Sequence, residues 1–136
     1  RHNAFDKVIG KAVLAGETIG DKLMLTTGRI SAEIGAHMVK TYFCDGFEEV
    51  VRNTPVPIVI AGGKKLPEKD ALEMAYNAMQ AGACGVDMGR NIFQSDCPVG
   101  MIRAVRAVVQ EKATVAQAFE IYEEVKAGAG SGLLQQ

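Results

Sequence analysis

The chain has 136 residues, of which 48% are hydrophobic and 23% charged, with a formal net charge of −1. That length suits one domain with a real core, and so balanced a charge gives no bulk pull toward nucleic acid or an anionic membrane. No apolar run approaches the ~20 residues of a bilayer span, and no signal-peptide pattern is present, so a cytoplasmic protein is expected.

Residues 1–20 form an N-terminal segment of uncertain structure. Within it, Val8 to Ala15 fits a buried strand or a short helix, and periodicity does not decide. A helix is predicted over 21–34. Asp21 is its candidate N-cap, Leu23, Thr27, Ile30 and Ile34 are its apolar-side stripe, and Gly35 is its stop. Residues 36–43 are rich in strand formers. Asp45-Gly46 turns the chain, and Phe47 to Arg52 reads as a short helix ended by Asn53-Thr54-Pro55.

Val56 to Ala61 is continuously apolar at its core, as in a parallel strand covered on both faces, with Pro57 near its start. Gly62-Gly63-Lys64-Lys65 follows, then a helix over 68–81 with Leu72, Ala75, Met79 and Gly82 on its inner face. Ala83 to Met88 is a third strand, followed at once by Gly89-Arg90-Asn91. Helices over 97–110 and 114–126 complete the pattern. Thr114 is the N-cap of the second, and its stripe is Val115, Ala118, Phe119, Tyr122 and Val125. Residues 127–136 read as a flexible tail. The alternation predicts an α/β fold with right-handed βα units and a parallel sheet, carried by a domain over 21–126.

The three cysteines, Cys44, Cys84 and Cys97, form no C-x-x-C pair, and His2 and His37 are the only histidines. Neither a disulfide framework nor a metal site is expected. Walker A, G-x-S-x-G and H-E-x-x-H motifs are absent. Without Trp or aromatic–basic interleaving, single-strand nucleic-acid stacking is disfavoured.

Three features fall at the strand ends, the edge where parallel α/β proteins place their sites. Lys40 lies inside an apolar strand. Burial there would favour a neutral amine able to attack a carbonyl, while an edge-strand lysine would simply reach solvent. Gly62-Gly63 allows close approach of an anion to backbone N–H groups, or makes a plain tight turn. Gly89 can start a short helix whose first amides attract phosphate, with Arg90 adding charge. Two successive Gly-rich strand ends reproduce the phosphate site of a (β/α)8 barrel, which places Lys40 on strand 6. Tyr42 shares the face of Lys40, as a proton-transfer partner or as packing. Asp87 faces either inward or toward the helices. His37 falls on the opposite face and reads as structural, and nothing near Cys44 in sequence activates its thiol.

His-Met-Val-Lys-Thr-Tyr-Phe, Pro-Val-Pro-Ile-Val-Ile-Ala-Gly-Gly-Lys-Lys and Gly-Ala-Cys-Gly-Val-Asp-Met-Gly-Arg-Asn-Ile-Phe-Gln-Ser together resemble the class I aldolase family of archaeal-type fructose-bisphosphate aldolases. Within it they are most similar to the thiolase branch that processes phosphorylated autoinducer-2. The resemblance covers residues 21–126. It implies the C-terminal half of a (β/α)8 TIM barrel, with strands 6 to 8 and at most part of strand 5, in a homo-oligomer with neither metal nor cofactor. It implies that Lys40 is the Schiff-base lysine and that Gly62, Gly63, Gly89 and Arg90 hold a substrate phosphate. Lys65 matches a further lysine of the family's Gly-Gly-x-Lys pattern. The implied activity is that of a class I aldolase or thiolase on a phosphorylated ketone, such as a phosphorylated autoinducer-2 derivative or fructose bisphosphate. Residues 1–25 lack the Tyr or Cys that the family carries on strand 5 for proton transfer or thiolysis. The competing readings are an incomplete, self-associating half-barrel that only binds phosphate and a barrel that binds a phosphate-bearing cofactor such as a flavin.

Overall fold

The computed structural model describes residues 21–131, with side chains over 26–129. The expectations for residues 1–20, including any part of a fifth strand, and for 132–136 lie outside the described residues. The elements are α1 (Asp21–Glu33), β1 (Val39–Tyr42), α2 (Phe47–Asn53), β2 (Ile58–Ala61), α3 (Glu68–Gln80), β3 (Gly85–Asp87), α4 (Gly89–Phe93), α5 (Pro98–Glu111) and α6 (Val115–Ser131). The strands form one parallel sheet in the order β1-β2-β3. Lys40 lies opposite Val59, which lies opposite Gly85, and Tyr42, Ala61 and Asp87 align two residues further on.

Each strand alternates its faces. Val39, Thr41, Ile58 and Ile60 are buried against helices, while Lys40 and Tyr42 point to the other face and are exposed. One core joins Val39, Ile58 and Ile60 to Phe47, Val50, Ala78 and Ala83. A second joins Ala71, Leu72 and Ala75 to Met88, Met101, Ala104, Val108, Ala118 and Tyr122. Helix α3 serves both cores. Its small alanines let backbones approach closely, and Leu72 fills the gap between them.

The ends of the helices follow local chemistry. Pro98 occupies the first turn of α5, where a missing N–H costs nothing. That helix closes at Lys112 in a left-handed conformation, and the Ala113 amide returns to the Ala107 carbonyl at 3.0 Å. Thr114 caps α6 reciprocally with Gln117: the Gln117 amide donates to Thr114 Oγ1 at 3.3 Å, and the Thr114 amide to Gln117 Oε1 at 2.9 Å.

Four expectations change. Ile30 and Ile34 are 52% and 79% exposed, so they are not an inner stripe. Helix α1 instead buries Thr27 and Gly28, the latter so close to Thr54 that a Cβ would stand 2.5 Å from Thr54 Oγ1. Gly82 makes a left-handed turn after α3 rather than part of its inner face. His37 precedes the shortened strand β1 and is exposed, so it has no structural role on the buried face. Helix α6 runs on to Ser131, beyond the expected end at 126.

Replacing Leu72, fully buried at the junction of α3 with α5 and α6, by Ala should cost about 2–5 kcal/mol in urea denaturation. Ile102→Ala, at a residue 54% exposed on α5, should stay within about 0.5 kcal/mol.

Candidate active site

Strand alternation and register bring the chemistry to one open face. Lys40 extends from β1 across β2 to β3, where its Nζ donates to Asp87 Oδ2 at 2.6 Å. Both side chains remain more than half exposed, at 53% and 58%. The burial anticipated for Lys40 is therefore absent among the described residues, whose buried strand positions Val39, Thr41, Ile58 and Ile60 lie on the other face. Asp87 resolves its alternatives in favour of the inward face. Tyr42 shares that face and is 43% exposed, so it is not core packing.

The rim of the face is built by the loops after β2 and β3, and the residue that joins them is Asn91. Its side chain is fully buried. Asn91 Nδ2 donates to the Gly62 carbonyl at 2.7 Å and to the Lys64 carbonyl at 3.2 Å, and Oδ1 accepts the Leu66 amide at 2.8 Å. A single amide thus uses both its donor hydrogens and its acceptor. Asn91 stood in the Gly-Arg-Asn triplet without a role in the sequence reading. Its only signal was a polar residue two positions after a strand-end glycine.

Gly62 enters the site differently from expectation. Its amide donates to the Asp87 carbonyl at 3.0 Å, so it is committed to the sheet. A Cβ at Gly62 would stand 2.7 Å from Met88 Cα and 3.0 Å from Asn91 Nδ2. Glycine is needed there for the loops to close on each other. Gly63 adopts φ +62, and its amide has no partner among the described residues. The same is true of the Gly89 and Arg90 amides, the first two of α4. The Arg90 side chain is exposed, with no ion-pair partner among the described residues.

Lys65 is not in this group. Its Nζ donates to Glu68 Oε1 at 2.7 Å and to the Leu66 carbonyl at 2.6 Å, clasping the loop to the start of α3. The Lys65 hydrogen bond holds the Glu68 carboxyl below its ordinary value of 4.5. Among the described residues no group of three His, Cys, Asp or Glu side chains is placed to hold a metal ion, and none of the cysteines forms a disulfide.

The Asn91 latch and the Glu68 clasp make separate predictions. Asn91→Ala strands two carbonyls and an amide and should cost about 1–3 kcal/mol in chemical denaturation. For Glu68 the folded value lies below the unfolded one, so its contribution is complete above pH 4.5 and is lost as pH falls through the lowered value. The difference in melting temperature between the parent and Glu68→Gln should be flat above pH 4.5 and shrink below it.

A family model described as DeoC/LacD family aldolase matches residues 7–95. The chain is 47% identical over 146 aligned residues to the 3-hydroxy-5-phosphonooxypentane-2,4-dione thiolase of Enterobacter sp. (strain 638), covering 95% of this chain and 49% of that protein. It is 60% identical over 95 residues to the thiolase of the same name from Photorhabdus laumondii, covering 69% of this chain and 33% of the relative. A solved Schiff-base-forming fructose-1,6-bisphosphate aldolase superposes with a TM-score of 0.63 at 30% identity, over 66% of this chain and 38% of that one. The chain thus spans half or less of the length of these relatives, and its sheet and helices are part of an aldolase (β/α)8 barrel. The matched segment, the parallel βα units and the strand-end motifs place this chain in the DeoC/LacD aldolase family.

Proposed function

We propose that this chain carries the nucleophilic lysine and the phosphate loops of a class I aldolase or thiolase that acts on a phosphorylated ketone. The observation that carries this reading is Lys40 on an open sheet face, beside two strand-end loops that leave backbone amides unused. The Lys40 amine attacks the ketone carbon, and loss of water gives a protonated imine. That iminium draws electrons from the neighbouring carbon–carbon bond and lowers the barrier to its cleavage or to acyl transfer. The amides of Gly63, Gly89 and Arg90, with the Arg90 guanidinium, bind the phosphate, while Gly62 shapes the loop that presents them. Phosphate binding supplies energy remote from the reacting centre and orients the carbonyl toward Lys40. Support comes from relatives named as thiolases of a phosphorylated dione and from a structural neighbour described as Schiff-base forming.

A second reading, a half-barrel that binds phosphate without turnover and self-associates, is favoured by one feature: exposed apolar side chains flank both outer strands, Ile34 and Met38 beside β1 and Phe93 beside β3.

Borohydride reduction of the purified chain with fructose 1,6-bisphosphate should add a covalent mass at Lys40, and Lys40→Ala should abolish it. An undiminished adduct in the alanine variant, or none in the parent, overturns the first reading. Arg90→Ala should raise the concentration of sugar phosphate that half-saturates trapping by about tenfold or more, as loss of a charge-assisted hydrogen bond requires.

A further inference from the structure

A Schiff-base lysine needs a partner that takes its proton and later returns one to expel water. The strands of the described residues bring three titratable side chains to the open face: Lys40, Tyr42 and Asp87. The loops at its rim add Asp45, Lys64 and Arg90, and also Lys65, which is tied to Glu68. Among the described residues only Asp87 contacts the Lys40 amine, at 2.6 Å.

That contact spans two interstrand gaps, about 10 Å between backbones. It forms because β2 places Val59 and the small Ala61 between the two side chains, and because Asp87 lies two residues further along than the Lys40 row. Among the described residues both groups are more than half exposed, where an ion pair is worth about 0–1 kcal/mol, so the carboxylate is free to exchange a proton with the amine it touches.

We propose that Asp87 is a catalytic residue, the proton-transfer carboxylate of Lys40. The inference rests on the reading of Lys40 as the nucleophile. The ammonium of Lys40 gives a proton to Asp87, leaving a neutral amine and a carboxylic acid. The amine nitrogen forms a bond to the ketone carbon, and a proton passes from nitrogen to the carbonyl oxygen to give the carbinolamine. Asp87 returns its proton to the carbinolamine hydroxyl, the carbon–oxygen bond breaks, and water leaves. The balance is one ammonium and one ketone giving one iminium and one water, with the carboxylate regenerated beside the new positive charge.

Among the described residues no other side chain contacts the Lys40 amine, so removing the carboxylate should slow formation of the iminium.

The test is the rate at which cyanoborohydride traps fructose 1,6-bisphosphate on Lys40, followed by intact mass at one fixed pH. Asp87→Asn should trap about 10²-fold more slowly than the parent, with Asp87→Glu restoring part of the rate. Equal rates in the parent and Asp87→Asn overturn the role of Asp87 and leave Lys40 standing. Absence of a Lys40 adduct in the parent overturns both. Circular-dichroism melting of the two variants should match the parent, and a large loss would mark Asp87 as structural and overturn the proposal.

Discussion

The arrangement depends on a sheet that, among the described residues, is buried on one side. Three short parallel strands place Val39, Thr41, Ile58 and Ile60 against helices and leave the alternate positions uncovered. Because side chains alternate with a period of two, a slip of one residue in β1 would drive Lys40 into the core and turn Val39 outward. The cost of burying an unpaired ammonium forbids that slip. The apolar core and the placement of Lys40 are thus fixed by the same register.

The second constraint is local. Gly62 and Asn91 lock the loops after β2 and β3 together: one lacks the Cβ that would collide with Met88, and the other satisfies three backbone groups with a single buried amide. This rigidity holds Gly63, Gly89 and Arg90 in fixed relation. On the proposed reading, a phosphate bound there would find the loops already ordered. The loop is tied a second time at Lys65–Glu68, at the start of the helix that serves both cores.

Much of this was legible in the letters. Strand formers located β1, an apolar run ahead of Gly62-Gly63 located β2, and a short stretch ahead of Gly89 located β3, and alternation alone put Tyr42 and Lys40 on one face. Lys40 and Asp87 are 47 positions apart, and their meeting depends on a register across two strand pairs that no local pattern encodes. Asn91 was hidden for a related reason, since its partners are in the preceding loop, 25 to 29 positions away. Ile30 and Ile34 misled because helical spacing reports which residues share a face, not whether anything covers it. Lys65, noted only as a match to the Gly-Gly-x-Lys pattern, is held by Glu68 one turn on, a pairing that its letter alone does not show.

The central claim is that Lys40 and the two loops form one site for a phosphorylated ketone. The most direct measurement is a crystal structure of the chain after reductive trapping with fructose 1,6-bisphosphate. The account predicts a continuous covalent bond from Lys40 Nζ to the former carbonyl carbon, with a phosphate against the Gly63, Gly89 and Arg90 amides and Asp87 beside the new nitrogen. A sugar bound through another residue, or a phosphate held away from these two loops, would contradict it.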